Sequence, residues 1–299
     1  MAARPFRFGV VVGGARSGAA WVAQARRAEA LGYATLMVPD TLAYTLAPFP
    51  ALAFAAAATT TLRVGTYVLA NDLRNPVLVA KDAATLDFLS SGRLELGLGA
   101  GRPGAEADNR MLGIPFEPGG ARLARLAEAL PLIKALLAGE RVSAPGPYYT
   151  VAEAAITPAP IQRPHPPILI AGGGPRMLEL AAREADIVAL AFAPDEPEAG
   201  VAERVAILRA AAGARFAALE LTMSLSAVGG RAVRYIAAQY GDRTAALLGS
   251  GAVAVVGGTV EDMCAQLVAR RASLGFSYIQ VADELMEAFA PVVARLAGQ

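Results

Sequence analysis

The chain has 299 residues and carries 27 Lys and Arg against 26 Asp and Glu, which gives a formal net charge of +1. This balance provides no overall field to attract nucleic acid or an anionic membrane surface, so neither is an expected partner. No run of about twenty strongly apolar residues without charge occurs, and the N-terminal residues lack the apolar core of a secretory signal. We therefore expect a cytoplasmic protein with one α/β domain over residues 1–299.

One cysteine and one histidine limit the metal and thiol chemistry open to this chain. Cys264 has no partner for an intrachain disulfide, and its helical surroundings are typical of a packing residue. His165 stands among prolines and has no second histidine to complete a zinc site, so we expect a structural role. The sequence predicts no metal site and excludes a catalytic triad built on histidine.

Strand and helix patterns alternate along the first third of the chain. Short apolar runs predict the strands, and apolar residues three and four apart predict the helices between them. The predicted order is strand 6–12, helix to Gly32, strand 35–38, helix 49–60, strand 63–69, helix from Asn75 to 92, and a strand ending in Gly97, Gly99 and Gly101. These three glycines remove the Cβ atom where a planar ligand or another backbone comes close.

The same alternation continues through the rest of the chain. It comprises a polar loop at 102–120, a helix at 121–138 with Pro131 expected to kink it, a Pro- and Gly-rich insertion at 139–167, and strands at 168–170, 187–190, 219–225 and 276–281 with helices between them. Eight strand–helix units without a GxGxxG turn after the first strand predict a TIM (β/α)8 barrel rather than a doubly wound sheet. The insertions are expected over the face formed by the carboxyl ends of the strands.

Five motifs in this order are similar to those of a known family. They are ATLDFLSSGRLELGLGAG at 84–101, LRVGT at 62–66 followed by NDLRNP at 71–76, PPILIAGGG at 166–174, AAREAD at 181–186 and FAPVV at 289–293. Together they resemble the luciferase-like flavin and deazaflavin oxidoreductases, and in particular the actinobacterial branch that uses coenzyme F420. The resemblance implies F420 as the cofactor, with FMN as the alternative, and a homodimer, because relatives often form dimers.

The resemblance also implies a set of site residues. It places a non-prolyl cis peptide at Tyr67–Val68, where it supports the central ring of the coenzyme, although the residues alone also fit a plain strand. The coenzyme-binding residues assigned in this way are Asp40, Tyr67, Val68, Asn71, Gly99, Gly101, Arg102, Ala171, Gly172, Gly173, Gly174 and Arg176. The candidate catalytic residues are Asp40 and Thr41, at the position of the family's catalytic pair, with Tyr44 and Tyr67 as replacements for the acid that this chain lacks. The triple glycine suits a phosphate or ribityl chain at a helix N-terminus, or is a simple turn.

Two positions depart from the family pattern. Thr41 and Asn75 stand where deazaflavin-dependent relatives often carry histidine. Threonine donates a hydrogen bond but does not exchange a proton near neutral pH, so we consider Tyr44 and Tyr67 as proton donors. Arg102 either binds an anionic substrate or is a solvated loop residue.

The sequence thus predicts an F420-dependent oxidoreductase that transfers hydride between the deazaflavin and a small organic substrate, with reduction of an activated C=C or C=N bond as the favoured direction. An FMN-dependent two-component monooxygenase is the first alternative. The second alternative is a non-redox or accessory cofactor-binding barrel in a biosynthetic pathway.

Overall fold

A computed structural model describes residues 4–102 and 104–299. By its contacts the chain divides into two compact units. The first unit contains Met1–Val12, Arg26–Leu36 and Gly172–Gln299, and the second contains Gly13–Ala25 and Met37–Ala171. The N-terminal residues 1–3 that entered the prediction of a cytoplasmic protein lie outside the described residues.

The described residues form strands and helices that alternate along the chain. The strands are β1 (Arg7–Val11), β2 (Thr35–Val38), β3 (Arg63–Thr66), β4 (Leu69–Ala70), β5 (Leu94–Gly99), β6 (Val142–Pro145), β7 (Thr150–Ala154), β8 (Ile168–Gly172), β9 (Ile187–Leu190), β10 (Glu220–Ser224), β11 (Ala227–Val228), β12 (Arg231–Ala232), β13 (Val255–Val256) and β14 (Phe276–Ala282). The helices are α1 (Gly18–Ala30), α2 (Pro48–Ala58), α3 (Pro76–Leu89), α4 (Glu106–Met111), α5 (Gly119–Ala138), α6 (Pro175–Glu184), α7 (Glu198–Ala212), α8 (Arg234–Tyr240), α9 (Thr244–Leu248), α10 (Val260–Leu274) and α11 (Met286–Leu296).

The eight strands predicted from the sequence are present as β1, β2, β3 with β4, β5, β8, β9, β10 and β14. Within each unit the paired strands of this set are parallel, helices alternate with the strands along the chain, and the chain has the predicted TIM-barrel fold. The side-chain pattern explains this, because the short strands are buried almost throughout and the helices between them each bury one face.

The first unit is built on the parallel strands β9, β10, β14 and β1, paired in that order. On one face of β1, Arg7 forms an ion pair with Glu220 at 2.6 Å, and its guanidinium lies 3.6 Å from the centre of the Tyr278 ring. On the other face, the rings of Phe8 and Phe289 meet edge to face with 5.6 Å between their centres. Charge on one face and aromatic packing on the other therefore hold β1 in place.

The second unit is built around β5, which pairs in parallel with β3, β4 and β8. All six residues of β5 are buried. The start of β5 pairs with β3, where Val64 lies opposite Leu94, and its end pairs with β4, where Leu69 lies opposite Leu98. The carboxyl ends of β4 and β5 therefore lie side by side.

Three predicted segments differ from the structure in detail. The predicted strand 63–69 is two strands, because the chain breaks at Tyr67–Val68 between the part that pairs with the start of β5 and the part that pairs with its end. The predicted loop 102–120 contains α4, and the insertion 139–167 contains the antiparallel hairpin β6–β7. Both added elements are short and largely exposed, so they leave little apolar periodicity in the sequence.

Pro131 lies inside α5, Cys264 lies half-buried in the predicted helix α10, and His165 precedes β8. The kink at Pro131 and the structural role of His165 stay predictions. Burial raises the pKa of the Cys264 thiol, which favours the unreactive protonated form. Among the described helices, none is both long and apolar enough to cross a bilayer. Residues 4–102 and 104–299 hold no group of three or more His, Cys, Asp or Glu side chains suited to a metal ion.

Candidate active site

In the second unit, most of the predicted site residues lie at the carboxyl ends of parallel strands. Asp40 and Thr41 follow β2, Asn71 follows β4 directly, and Gly101 follows β5. This end of the strands is where barrels of this class place their chemistry, because the loops that follow the strands are free to carry functional side chains. The tertiary structure therefore brings these separate segments to one edge of the second unit.

Asp40 is buried and is bound on both carboxylate oxygens. Arg74 forms a bidentate pair with it, with Nη2 2.6 Å from Oδ1 and Nε 3.1 Å from Oδ2. The backbone amide of Ala70 also donates to Oδ2 at 3.1 Å. The carboxylate thus ties the end of β2 to the end of β4 and to the turn after it. Its predicted contact with a cofactor ring stays a prediction, and Arg74 is a residue that the sequence analysis missed.

Thr41 has a buried hydroxyl with no hydrogen-bond partner in the described part of the chain. Its backbone is fixed by Thr45, whose hydroxyl accepts from the Thr41 amide at 3.1 Å and donates to the Thr41 carbonyl at 2.8 Å. The next amide, of Leu42, donates to the Asp108 carboxylate at 3.2 Å. A buried hydroxyl without a partner is costly, so this atom is suited to hold a polar group of a ligand.

The two tyrosines considered as proton donors have different surroundings. Tyr44 is 83% exposed, so most of its ring lies in water. Tyr67 is partly buried at the end of β3, and its amide donates to the carbonyl of Val38 at 2.9 Å. The structure therefore holds Tyr67 against β2 but gives the Tyr44 side chain no such enclosure, and the catalytic role of each stays a prediction.

The Tyr67–Val68 peptide bond is cis, as the resemblance implied. Beside it, two of the glycines that end β5 make room for the chain itself. A Cβ atom on Gly97 would overlap the carbonyl oxygen of Thr66, and one on Gly99 would lie 2.8 Å from Cγ2 of Val68. The sequence left open whether these glycines make room for a planar ligand or for another part of the chain. Close approach of the segment at Thr66 and Val68 accounts for both Gly97 and Gly99. Contact of Gly99 and Val68 with the coenzyme stays a prediction.

At position 101, both the backbone conformation and a neighbouring side chain favour glycine. Its φ angle is +81°, in the left-handed region, and a Cβ there would lie 2.9 Å from Nη1 of Arg122. Arg122 is buried and donates to the carbonyl oxygens of Ala100 and Gly101 at 2.7 and 2.6 Å. Arg102, the next residue, is exposed, so its side chain is free to meet an anion or solvent.

Asn71 is buried and connects this edge to the β6–β7 hairpin. Its Nδ2 donates to Oη of Tyr149 at 3.1 Å. Burial raises the pKa of Tyr149, the largest of several effects on this phenol. Tyr149 is not among the residues predicted from the sequence, because it lies in a Pro- and Gly-rich insertion that carries no motif.

The triple glycine Gly172–Gly174 belongs to the first unit, and the preceding residue Ala171 belongs to the second. A Cβ on Gly172 would overlap the Met177 side chain, and one on Gly173 would overlap the Ala191 carbonyl oxygen. Gly174 has open space around it and precedes α6, whose second residue, Arg176, is exposed. Packing thus accounts for two of the glycines, and phosphate or ribityl binding by the segment stays a prediction.

Comparison with known proteins places these features in context. The family model of luciferase-like monooxygenases matches residues 4–247. An F420-dependent glucose-6-phosphate dehydrogenase of Beutenbergia cavernae is 40% identical over 169 residues, which are 53% of this chain and 48% of that protein. The chain therefore spans about half the length of that curated relative.

Two solved structures are similar over nearly the whole chain. The coenzyme F420-dependent tetrahydromethanopterin reductase of Methanopyrus kandleri has a TM-score of 0.77 at 18% identity, covering 98% of this chain and 99% of that one. A monooxygenase of Streptomyces bottropensis has a TM-score of 0.75 at 23% identity, covering 97% of each chain. At such identities these matches show the fold alone, and this fold occurs both in an F420-dependent reductase and in a monooxygenase.

Proposed function

This chain belongs to the luciferase-like monooxygenase family, and we propose that it is an F420-dependent oxidoreductase that transfers hydride between the deazaflavin and a small organic substrate. The observation that carries the proposal is the buried hydroxyl of Thr41, which has no partner among the described residues and follows the clamped carboxylate of Asp40. The name of the B. cavernae relative supports F420 over FMN.

The residues at this edge fit a planar, polar coenzyme. Thr41 Oγ1 has no hydrogen-bond partner among the described residues, and Val68, which directly precedes β4, is a partly exposed apolar residue. When bound, the deazaflavin supplies a hydride at C5. The protein's part is to hold that ring, and Asp40 prepares this edge by joining the end of β2 to Arg74 and to the amide of Ala70 at the end of β4.

We propose reduction of an electron-poor C=C or C=N bond as the direction of the reaction. Oxidation of an alcohol needs a base to take the hydroxyl proton, and Thr41 stands where the family resemblance leads one to expect histidine. Reduction needs a proton donor instead, which neutral side chains supply. Oxidation of glucose 6-phosphate, the activity in the name of the B. cavernae relative, is the opposing direction to be tested.

The first test is titration of the purified protein with F420 and, separately, with FMN, followed by fluorescence and calorimetry. We expect micromolar binding of F420 and weak binding of FMN. Reduced F420 is then offered an enone and a cyclic imine, and oxidised F420 is offered glucose 6-phosphate. Preference for FMN would identify a two-component monooxygenase instead, and binding of neither coenzyme would favour the non-redox barrel.

A single domain over residues 1–299, a homodimer and a cytoplasmic location remain part of this proposal. Sedimentation of the purified chain measures the oligomeric state directly. Cooperative unfolding in a single transition is the result expected for one domain.

A further inference from the structure

The Tyr149 phenol accepts one hydrogen bond and has a proton that no acceptor among residues 4–102 and 104–299 takes up. The Asn71 side-chain nitrogen is only a donor, so at 3.1 Å the Tyr149 oxygen accepts that hydrogen bond. In the part of the chain that the structure describes, Oη of Tyr149 donates to no acceptor. Its proton is therefore available to a bound molecule.

Tyr149 is held from two sides. Its backbone amide donates to Oε1 of Glu128 on α5 at 2.7 Å, and its carbonyl accepts from Gly146 at 3.1 Å across the hairpin turn. With the Asn71 bond at the other end of the side chain, the phenol has a defined position at this edge of the second unit. A group used for proton transfer needs such preorganisation.

The charged groups facing the phenol come from two elements. Asp72, next to Asn71, pairs with Arg125 of α5 at 2.8 Å, and Glu128 belongs to the same helix. Burial is the largest effect on the pKa of Tyr149 and raises it, while the Asn71 bond and the Arg125 charge lower it. The Asp72 and Glu128 charges also raise this pKa, so the phenol is protonated at neutral pH. After donation, Asn71 is in place to donate a hydrogen bond to the phenolate, while the two carboxylates favour rapid return of a proton.

The position of Asn71 connects this phenol with the strand ends. Asn71 follows Ala70, which pairs with Gly99 of β5 and whose amide is bound to Asp40. Tyr149 therefore lies one hydrogen bond from the edge that carries the candidate site residues of the second unit, whereas Tyr44 is 83% exposed.

We propose that Tyr149 is the proton donor for reduction of the substrate, an inference that rests on the proposed function. The substrate's C=C or C=N bond receives hydride from C5 of reduced F420 at one atom, and its π electrons move to the other atom, which takes the proton from Tyr149 Oη. Two electrons leave the coenzyme and reach the substrate. The phenolate then regains a proton from water. The substrate class is an alkene or imine polarised by an electron-withdrawing group.

The test compares Tyr149→Phe with the matched control Tyr148→Phe, which removes a hydroxyl from the adjacent residue. Single-turnover oxidation of reduced F420 is followed with cyclohex-2-en-1-one and 2-methyl-1-pyrroline as probes. We expect Tyr149→Phe to slow this step on the order of 100-fold and to remove its solvent isotope effect. Both variants are expected to keep the F420 affinity of the parent, and Tyr149→Phe is expected to lower the melting temperature slightly, because the buried Asn71 nitrogen loses its acceptor.

A second readout needs no coenzyme. Tyrosine labelled at 13Cζ is titrated by NMR, and the Tyr149 signal is expected to change above the ordinary pKa of about 10. Asn71→Ala removes a bond that lowers this pKa, so it is expected to move the transition to still higher pH.

Parent-like turnover in Tyr149→Phe would overturn the inference and leave the proposed function standing. A loss of rate matched by equal losses of melting temperature and F420 affinity would also overturn it, because Tyr149 would then only anchor the hairpin. If the parent protein binds no F420, the proposed function itself fails.

Discussion

Two arginine–carboxylate pairs, one in each unit, show how differently the same chemistry is used. In the first unit, Arg7 and Glu220 are the first residues of β1 and β10, and Tyr278 covers the guanidinium. In the second unit, Asp40 and Arg74 lie beyond the carboxyl ends of β2 and β4. The first pair joins regular strands, whereas the second fixes loops beside an unpartnered Thr41 hydroxyl.

This contrast follows the rule for barrel enzymes that the amino ends of the strands serve stability and the carboxyl ends serve chemistry. Because both regions contain such a pair, a buried ion pair alone does not identify a functional site. Buried polar atoms without a hydrogen-bond partner among the described residues also occur in the first unit, at Thr222, Ser277 and Gln280 within β10 and β14, so they do not identify a site by themselves either. The Asp40 region differs because Thr41 and Tyr149 lie in loops beyond the carboxyl ends of the strands. Substitutions in the two regions should separate stability from coenzyme binding.

The largest effect is expected from Asp40→Ala. It leaves the Arg74 guanidinium and the Ala70 amide without their acceptor, and removing one partner of a buried pair costs about 3–5 kcal/mol. Thermal unfolding should show this loss, and F420 titration should show binding weakened on the order of 100-fold, or about 2.7 kcal/mol. A variant that loses stability but keeps F420 affinity would place Asp40 with the purely structural pairs.

Gly97→Ala is expected to destabilise the second unit by about 3 kcal/mol, because the new methyl group overlaps the Thr66 carbonyl, which belongs to the backbone. The control is Gly257→Ala in the first unit, where a Cβ meets no atom within 4 Å. Chemical denaturation measures the free energy of unfolding of both variants. Equal stabilities of the two variants would contradict the close approach of Thr66 to β5.

Glu220→Ala tests the other side of the comparison. We expect a loss of about 2–3 kcal/mol in the free energy of unfolding, below the full value for a buried pair because both side chains keep some contact with solvent. F420 affinity is expected to stay within about twofold of the parent. A strong loss of affinity in this variant would show that the first-unit pair also supports the site.

The smallest effect is expected from Thr41→Val, which removes the hydroxyl and keeps the shape. Loss of one neutral hydrogen bond to the coenzyme corresponds to about 0.5–1.5 kcal/mol, or about 2- to 12-fold in the dissociation constant. The control Thr85→Val changes a half-buried threonine of α3 whose hydroxyl donates to the Lys81 carbonyl of the same helix. The free energy of unfolding of Thr41→Val should equal or slightly exceed that of the parent, because the substitution removes a buried hydroxyl that has no partner among the described residues.

Much of the candidate site could be predicted from sequence, but its contacts could not. The motifs pointed to Asp40, to the cis bond at Tyr67–Val68 and to Asn71, and the structure confirms the cis bond. Arg74 lies inside the NDLRNP motif but gave no sign of its partner. Tyr149 gave no signal, because a tyrosine in a Pro- and Gly-rich insertion has no local pattern that marks a site.

By itself, the sequence determined the alternation of strands and helices and, through it, the TIM-barrel class, because apolar periodicity is a local property that each segment carries independently. Only the tertiary structure decided that Asp40 meets Arg74, that Asn71 meets Tyr149, 78 positions away, and that Gly97 makes room for Thr66. Such contacts join residues far apart along the chain, and they exist only once the strands and the hairpin have packed in three dimensions.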